Sequence, residues 1–180
     1  MTDLWRHYGK ANWPLLLWAV LHNRTFAPVA TLRWHAVAKR LPRLPRSILL
    51  PFVSLLHRWT QQRAGLDLPA GIHAGPGLRI THGWGLVVSR NAILGSNVTL
   101  MHGVTLGGKN DRFPIIGSNV FIGAHAILLG GVRVGDGAVI GPGSVIVHDV
   151  QAGTTVVGNP QREVGTVDQP MGKFLFPSQQ

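Results

Sequence analysis

From Val88 onward an aliphatic residue returns at every sixth position, first as Val88, Leu94, Leu100 and Leu106, then as Ile116, Ile122, Leu128, Val134, Ile140 and Ile146. A Gly follows this residue at 95, 107, 117, 123, 135 and 141, and a small or branched residue stands two places before it, from Ala92 and Val98 through Ala138 and Ser144. A period of six belongs neither to an α-helix, at about 3.6 residues, nor to a plain strand, at about two. It marks a hexapeptide coil repeat.

Each hexapeptide predicts one short strand and one bend, with the aliphatic side chain pointing into a narrow prism and the Gly permitting the turn. Three hexapeptides close one triangular coil. Stacked coils pair their strands in parallel, so the apolar column exists only through stacking. An amphipathic helix is excluded over 92–147, where positions i, i+3, i+4 and i+7 are nowhere jointly apolar. The repeat resembles that of the left-handed parallel β-helix, and the handedness is taken from that resemblance. The predicted fold class is therefore mainly β, a left-handed parallel β-helix with a short helical N-terminal segment.

Charge divides the chain. Residues 1–66 carry ten Lys or Arg against the single acid Asp3, and nearly all of the formal +10 of the 180-residue chain lies there. The same third is apolar in two runs, Trp13 to Leu21 and Ile48 to Leu56, and holds five of the six Trp. Neither run reaches the ~20 apolar residues that span a bilayer. Two readings stand side by side: a cationic, Trp-anchored segment lying on the inner face of the cytoplasmic membrane through residues 1–63, or a helical cap packed on the coil and on its own copies. A secretory leader is not expected, because His22, Asn23 and Arg24 interrupt the apolar stretch before Ala27-Pro28-Val29-Ala30. Without Cys there is no disulfide, thiolate ligand or thiol nucleophile, which fits the cytoplasm. The basic residues interleave with Trp and Leu in no nucleic-acid-binding motif, so no nucleic-acid partner is expected.

The expected organisation is a helical segment over 1–66, a β-helix over 67–150 and a bend with an extended tail over 151–180. Residues 1–63 predict two or three helices broken near Pro28 and at Leu41 to Pro45. A first coil runs through Leu68, Ala74, Ile80 and Leu86, and the phase then slips by two residues at His82-Gly83-Trp84-Gly85. A second slip between Leu106 and Ile116 forces about four residues of the stretch Gly107 to Pro114 outward as a loop.

At one coil per 18 residues plus inserts, Ile80, Leu100, Ile122 and Ile140 stack, and two positions beyond them come His82, His102, Ala124 and Pro142. His82 and His102 should then share one corner, beside the loop of Lys109 to Phe113. An imidazole titrates near 6.5 in water and so takes a proton from a hydroxyl at neutral pH, the work of a general base. Asp67, fifteen residues before His82, is the carboxylate expected to orient it.

Residues 65–166 resemble the hexapeptide acyltransferases of the serine acetyltransferase type. The matching segments are Ile80-Thr81-His82-Gly83, Val104-Thr105-Leu106-Gly107-Gly108, Asp111-Arg112-Phe113-Pro114, Ile122-Gly123-Ala124, Gly141-Pro142-Gly143-Ser144-Val145 and Val157-Gly158-Asn159-Pro160. The resemblance implies acetyl-CoA as donor, a homotrimer and active sites between neighbouring prisms. It implies His82 as catalytic base with Asp67 as its partner, Arg112 as the holder of an acceptor carboxylate, and Gly107, Gly108 and Ala124 along the pantetheine channel. Pro142, next in the column of Ala124, joins that cofactor-binding set, and His102 joins the substrate-binding set. No metal is expected.

The chain departs from that family in carrying Phe113 where it has His, Thr81 where it has Asp, and a helical segment about half as long. Its layout is closer to the O-acetyltransferases encoded with capsule and exopolysaccharide (colanic-acid-type) synthesis. The expected activity is acetyl transfer from acetyl-CoA to a hydroxyl of a sugar or polysaccharide precursor, with Trp84 and Phe113 stacking on the sugar ring. The alternative is serine O-acetylation, in cysteine biosynthesis. A zinc trimer of the carbonic-anhydrase kind, nominally through His82, His102 and His125, lacks the close His pair such sites use. A binding protein with a dead site is opposed by the presence of His82, Asp67 and the Gly107-Gly108 turn.

Overall fold

The computed structural model describes residues 1–166; the part of the predicted tail from 167 to 180 lies outside the described residues. Four helices come first: α1 (Thr2–Tyr8), α2 (Trp13–His22), α3 (Phe26–Lys39) and α4 (Arg43–Ala64). The predicted break near Pro28 falls a few residues before it, between α2 and α3. Pro28 sits in the first turn of α3, where a missing N–H costs no helical hydrogen bond, and the chain breaks instead at Asn23, whose side chain accepts from the backbone of Thr25 and Phe26. Pro42 precedes α4 as predicted, while Pro45 falls in its first turn. α4 ends at Gly65, in the left-handed conformation at φ 65°.

Four coils follow. They comprise β1 (His73–Ala74), β2 (Arg79–Ile80) and β3 (Val87–Val88); β4 (Ile93–Leu94), β5 (Thr99–Leu100) and β6 (Thr105–Gly107); β7 (Ile115–Ile116), β8 (Phe121–Ile122) and β9 (Ile127–Leu129); β10 (Arg133–Val134), β11 (Val139–Ile140) and β12 (Val145–Ile146). The strands stack into three parallel sheets, one per prism side: β1-β4-β7-β10, β2-β5-β8-β11 and β3-β6-β9-β12. Ile80 pairs with Leu100, Leu100 with Ile122 and Ile122 with Ile140, as the period of six requires, and all four are at most 1% exposed. The small residues two places earlier are buried too, among them Ala92, Val98, Ala126 and Ser144. Gly95 shows why small residues are needed at the bends: a Cβ there would stand 2.6 Å from the carbonyl carbon of Gly117 in the next coil.

The C-terminal region is not a simple bend. β13 (Thr154–Val157) extends the second sheet in parallel, and β14 (Arg162–Thr166) turns back antiparallel against it, past a cis Asn159–Pro160 bond.

The helical segment is fastened to the first coil by charge as well as by packing. The buried Asp3 carboxylate accepts from Arg33 Nε at 2.8 Å and from the backbone N–H groups of Gly77 and Leu78 at 2.8 and 2.9 Å. Arg33 also donates to the carbonyls of Ala74 and Gly75, both at 2.6 Å, and Arg6 reaches the carbonyl of Asn97 at 3.0 Å. On α4, His57 Nε2 donates to the carbonyl of Leu68 at 2.7 Å. Burial lowers the His57 pKa, so the neutral ring accepts at Nδ1 from the Thr31 hydroxyl at 2.8 Å.

Candidate active site

The first phase slip is a two-residue bulge at the corner between the second and third sheets. Thr81 N–H still pairs with the Leu100 carbonyl, and Gly103 N–H pairs with the carbonyl of Trp84 at 2.7 Å, so the extra residues are His82 and Gly83. The ladder continues with His125 N–H to the His102 carbonyl and Gly143 N–H to the Ala124 carbonyl. Backbone register therefore puts Trp84, not His82, in line with His102. His82 is pushed outward, left-handed at φ 64°, and exposed. A non-Gly residue held there is uncommon and marks a corner with a special demand on one side chain.

The imidazoles nevertheless meet. The rings of His82 and His102 lie edge to face with centroids 6.1 Å apart, and His102 meets His125 in the same way at 5.0 Å. His102 Nδ1 is buried with no hydrogen-bond partner among the described residues. His125 was not singled out as a substrate contact, and the signal for it was its place one step beyond Ala124. Its ring covers the bare Cα of Gly103. Among the described residues no group of His, Cys, Asp or Glu is arranged to hold a metal ion.

Asp67 pairs through its backbone with Val87 and is exposed. Its carboxylate makes no hydrogen bond to His82 within one chain. It opens instead on a groove of about 470 Å³ with Arg58, Gln62 and Gly85. The second slip is a tight hairpin. Lys109 and Arg112 exchange backbone hydrogen bonds at 2.9 and 3.1 Å, and Asn110 and Asp111 between them are both left-handed, the geometry of a two-residue type I′ turn. It follows β6 and so rises from the corner between the third and first sheets, one prism edge away from His82. Arg112 lies there, packed on Gly131 beside a groove of about 690 Å³ that also contains Lys109 and His148. Gly107 pairs with Leu129, Ala124 is half-buried beneath Gly143, and Pro142 is exposed at the top of its column.

The two aromatic candidates are already engaged. The Phe113 ring lies on the bare Cα of Gly108, and the Trp84 ring lies on that of Gly65 with the guanidinium of Arg24 4.4 Å from its centroid.

A triangular column of hexapeptides interrupted by an imidazole bulge and an outward hairpin is the architecture of the hexapeptide-repeat transferases, and the family model for the bacterial transferase hexapeptide (six repeats) matches residues 113–148. Serine acetyltransferase of Helicobacter pylori is 35% identical over 165 residues, spanning 87% of this chain and 88% of that protein. The Neisseria gonorrhoeae serine acetyltransferase solved in complex with serine superposes with a TM-score of 0.71 at 36% identity, covering 91% of this chain and 66% of that one. The Brucella abortus serine acetyltransferase solved in complex with coenzyme A gives a TM-score of 0.72 at 32% identity, covering 92% and 66%. The chain belongs to the serine acetyltransferase family. It spans only 34 to 50% of the length of the serine acetyltransferases it matches from Arabidopsis thaliana and Synechococcus elongatus.

This corrects the expectation of a sugar or polysaccharide acceptor and of kinship with capsule O-acetyltransferases, since the relatives and structural neighbours are serine acetyltransferases. The aromatic pair that suggested a sugar is partly committed to its own chain: Phe113 packs on Gly108, and Trp84, although half exposed, packs on Gly65 with the Arg24 guanidinium over its ring.

Proposed function

We propose that this chain is an acetyl-CoA-dependent serine O-acetyltransferase that works as a homotrimer. The observation that carries the reading is the Helicobacter pylori match along nearly the full length of both chains. The exposed imidazole of His82 on its bulge supplies a base in the right place. His82 takes the proton of the serine hydroxyl as the oxygen forms a bond to the thioester carbon, and the C–S bond then breaks as the same imidazole returns the proton to the departing thiolate. Arg112 holds the serine carboxylate. The turn at Gly107-Gly108 and the column of Ala124 and Pro142 line the pantetheine path. The resemblance assigns Asp67 to orient His82, a contact the single chain does not make, and Thr81 and His102 complete the wall around the imidazole.

The same geometry supports the homotrimer. Imidazoles and Arg112 stand on adjacent corners of one prism, so one chain's His82 meets the hairpin of its neighbour when three prisms pack side by side. The test is thiol release from acetyl-CoA with serine, threonine, homoserine and a panel of sugars, together with the mass in solution. Serine should be the preferred acceptor and the active species should have three chains. A serine rate no higher than the acceptor-free blank, or full activity in a monomer, overturns the proposal.

A further inference from the structure

Helix α4 is amphipathic twice over. Its inward stripe is Val53, His57, Thr60 and Ala64, all buried against α3 and the first coil. Leu44, Ile48, Phe52, Leu55 and Trp59 form a second apolar stripe, each between 53 and 82% exposed. At about 100° per residue these five fall within an arc of about 80° on the side away from the core. α2 adds Trp13, Leu17, Trp18 and Leu21, each 51 to 70% exposed. Arg63 joins the two faces, donating to the Leu21 carbonyl at 3.1 Å while its guanidinium lies 5.5 Å from the centre of the Trp59 ring. A contiguous apolar face of this extent on a folded chain marks an interaction surface.

Charge decides the occupant. Arg58 and Arg63 fall about 80° and 60° to either side of the centre of the outward stripe, whereas Arg43 and Arg46 project from the opposite side of α4, beside a groove of about 360 Å³ with Leu50 and Pro51. No acid occurs from residue 4 to residue 66, and Asp3 is held by Arg33 and the backbone of the first coil. A second copy docked face to face would set arginines against arginines with nothing to neutralise them. An anionic bilayer supplies phosphates for the flanking Arg58 and Arg63 and acyl chains for the Leu, Phe and Trp side chains between them. Among the described residues no helix is long and apolar enough to cross a membrane, so contact with a bilayer would be made at its surface.

We infer that the outward face of α4, continued by α2, is a docking surface for an anionic phospholipid bilayer. The test is flotation of the full chain with phosphatidylcholine vesicles containing about 30% phosphatidylglycerol, against phosphatidylcholine alone, at about 0.05 and 0.5 M salt. Binding to the anionic vesicles should be at least about tenfold stronger at low salt than at high salt or on the neutral vesicles. Ile48→Glu with Phe52→Glu should weaken it at least about tenfold through lost apolar insertion, and Arg58→Glu with Arg63→Glu should remove the preference for anionic lipid. Both variants leave the coil untouched, and an unchanged melting curve certifies each. Three results would overturn the inference: no flotation at any salt, equal flotation on neutral vesicles, or an assembly that falls apart on Phe52→Glu without any vesicle binding, which assigns the face to a second copy.

Discussion

Replacing Asp3 by Asn tests whether one carboxylate fastens the helical segment to the prism. The native group accepts from Arg33 Nε at 2.8 Å, Arg33 Nη2 at 3.1 Å and two backbone N–H groups of the first coil. Asn keeps one acceptor oxygen for the backbone but turns an amide toward the guanidinium, leaving Arg33 with two carbonyls and no counter-charge. Breaking a fully buried pair costs about 3–5 kcal/mol. The Arg33 side chain is 30% exposed, so water recovers part of that and about 2–3 kcal/mol is expected. For a chain of this size that lowers the melting temperature by about 4–12 °C. The assays are calorimetry and amide exchange at Gly77 and Leu78, whose protection should fall further than that of Leu100. A shift under about 2 °C, or a loss of protection spread evenly through the coils, refutes the fastening role.

His82→Ala should reduce acetyl transfer by about 10²–10⁴-fold while leaving the melting temperature within a degree or two, as steady-state kinetics and calorimetry on one preparation will show. Gly95→Ala drives a methyl into the Gly117 carbonyl, backbone against backbone, and should cost about 1–3 kcal/mol by chemical denaturation; a neutral result means the coils can slide apart freely. Burial lowers the pKa of His57, and likewise of His7 and His35. The unfolded chain then binds protons first as pH falls below about 6.5, so stability holds above that value and declines below it toward the lowered native values. Urea midpoints at pH 7.5 and 5.0 should record the decline, and His57→Gln should make it shallower; a midpoint that does not move with pH contradicts the buried neutral imidazole.

The prism was legible because its signal is local and repeated. Every sixth aliphatic residue from Val88 to Ile146 carries the same instruction, and the stacked register of Ile80, Leu100, Ile122 and Ile140 follows from counting. The outward hairpin was legible as an excess of residues, and its turn type rests on Asn110 and Asp111, both able to sit left-handed. Counting failed inside the first slip. It does not say which two residues of His82 to Gly85 are extra, and the ladder gives the in-line place to Trp84. The first-turn tolerance of Pro28 and the chain reversal after Gly158 were missed because a proline or glycine reads as a break whatever its neighbours satisfy. The contacts of Asp3, Arg6 and Arg33 join residues 30 to 93 positions apart, and composition carries no trace of them. The acceptor was misjudged from three departures in a pattern, where full-length similarity outweighs them.

β14 has a consequence beyond its own few hydrogen bonds. A stack of parallel coils has no intrinsic length, and each end offers unpaired backbone to another stack, the start of a fibre. The lower end is roofed by α1 and α3. At the upper end the chain doubles back on itself, and the strand it leaves outermost runs the wrong way for another parallel coil and carries Arg162, Glu163 and Gly165. On the second sheet, lengthening along the prism axis is thereby opposed by chain direction and charge together.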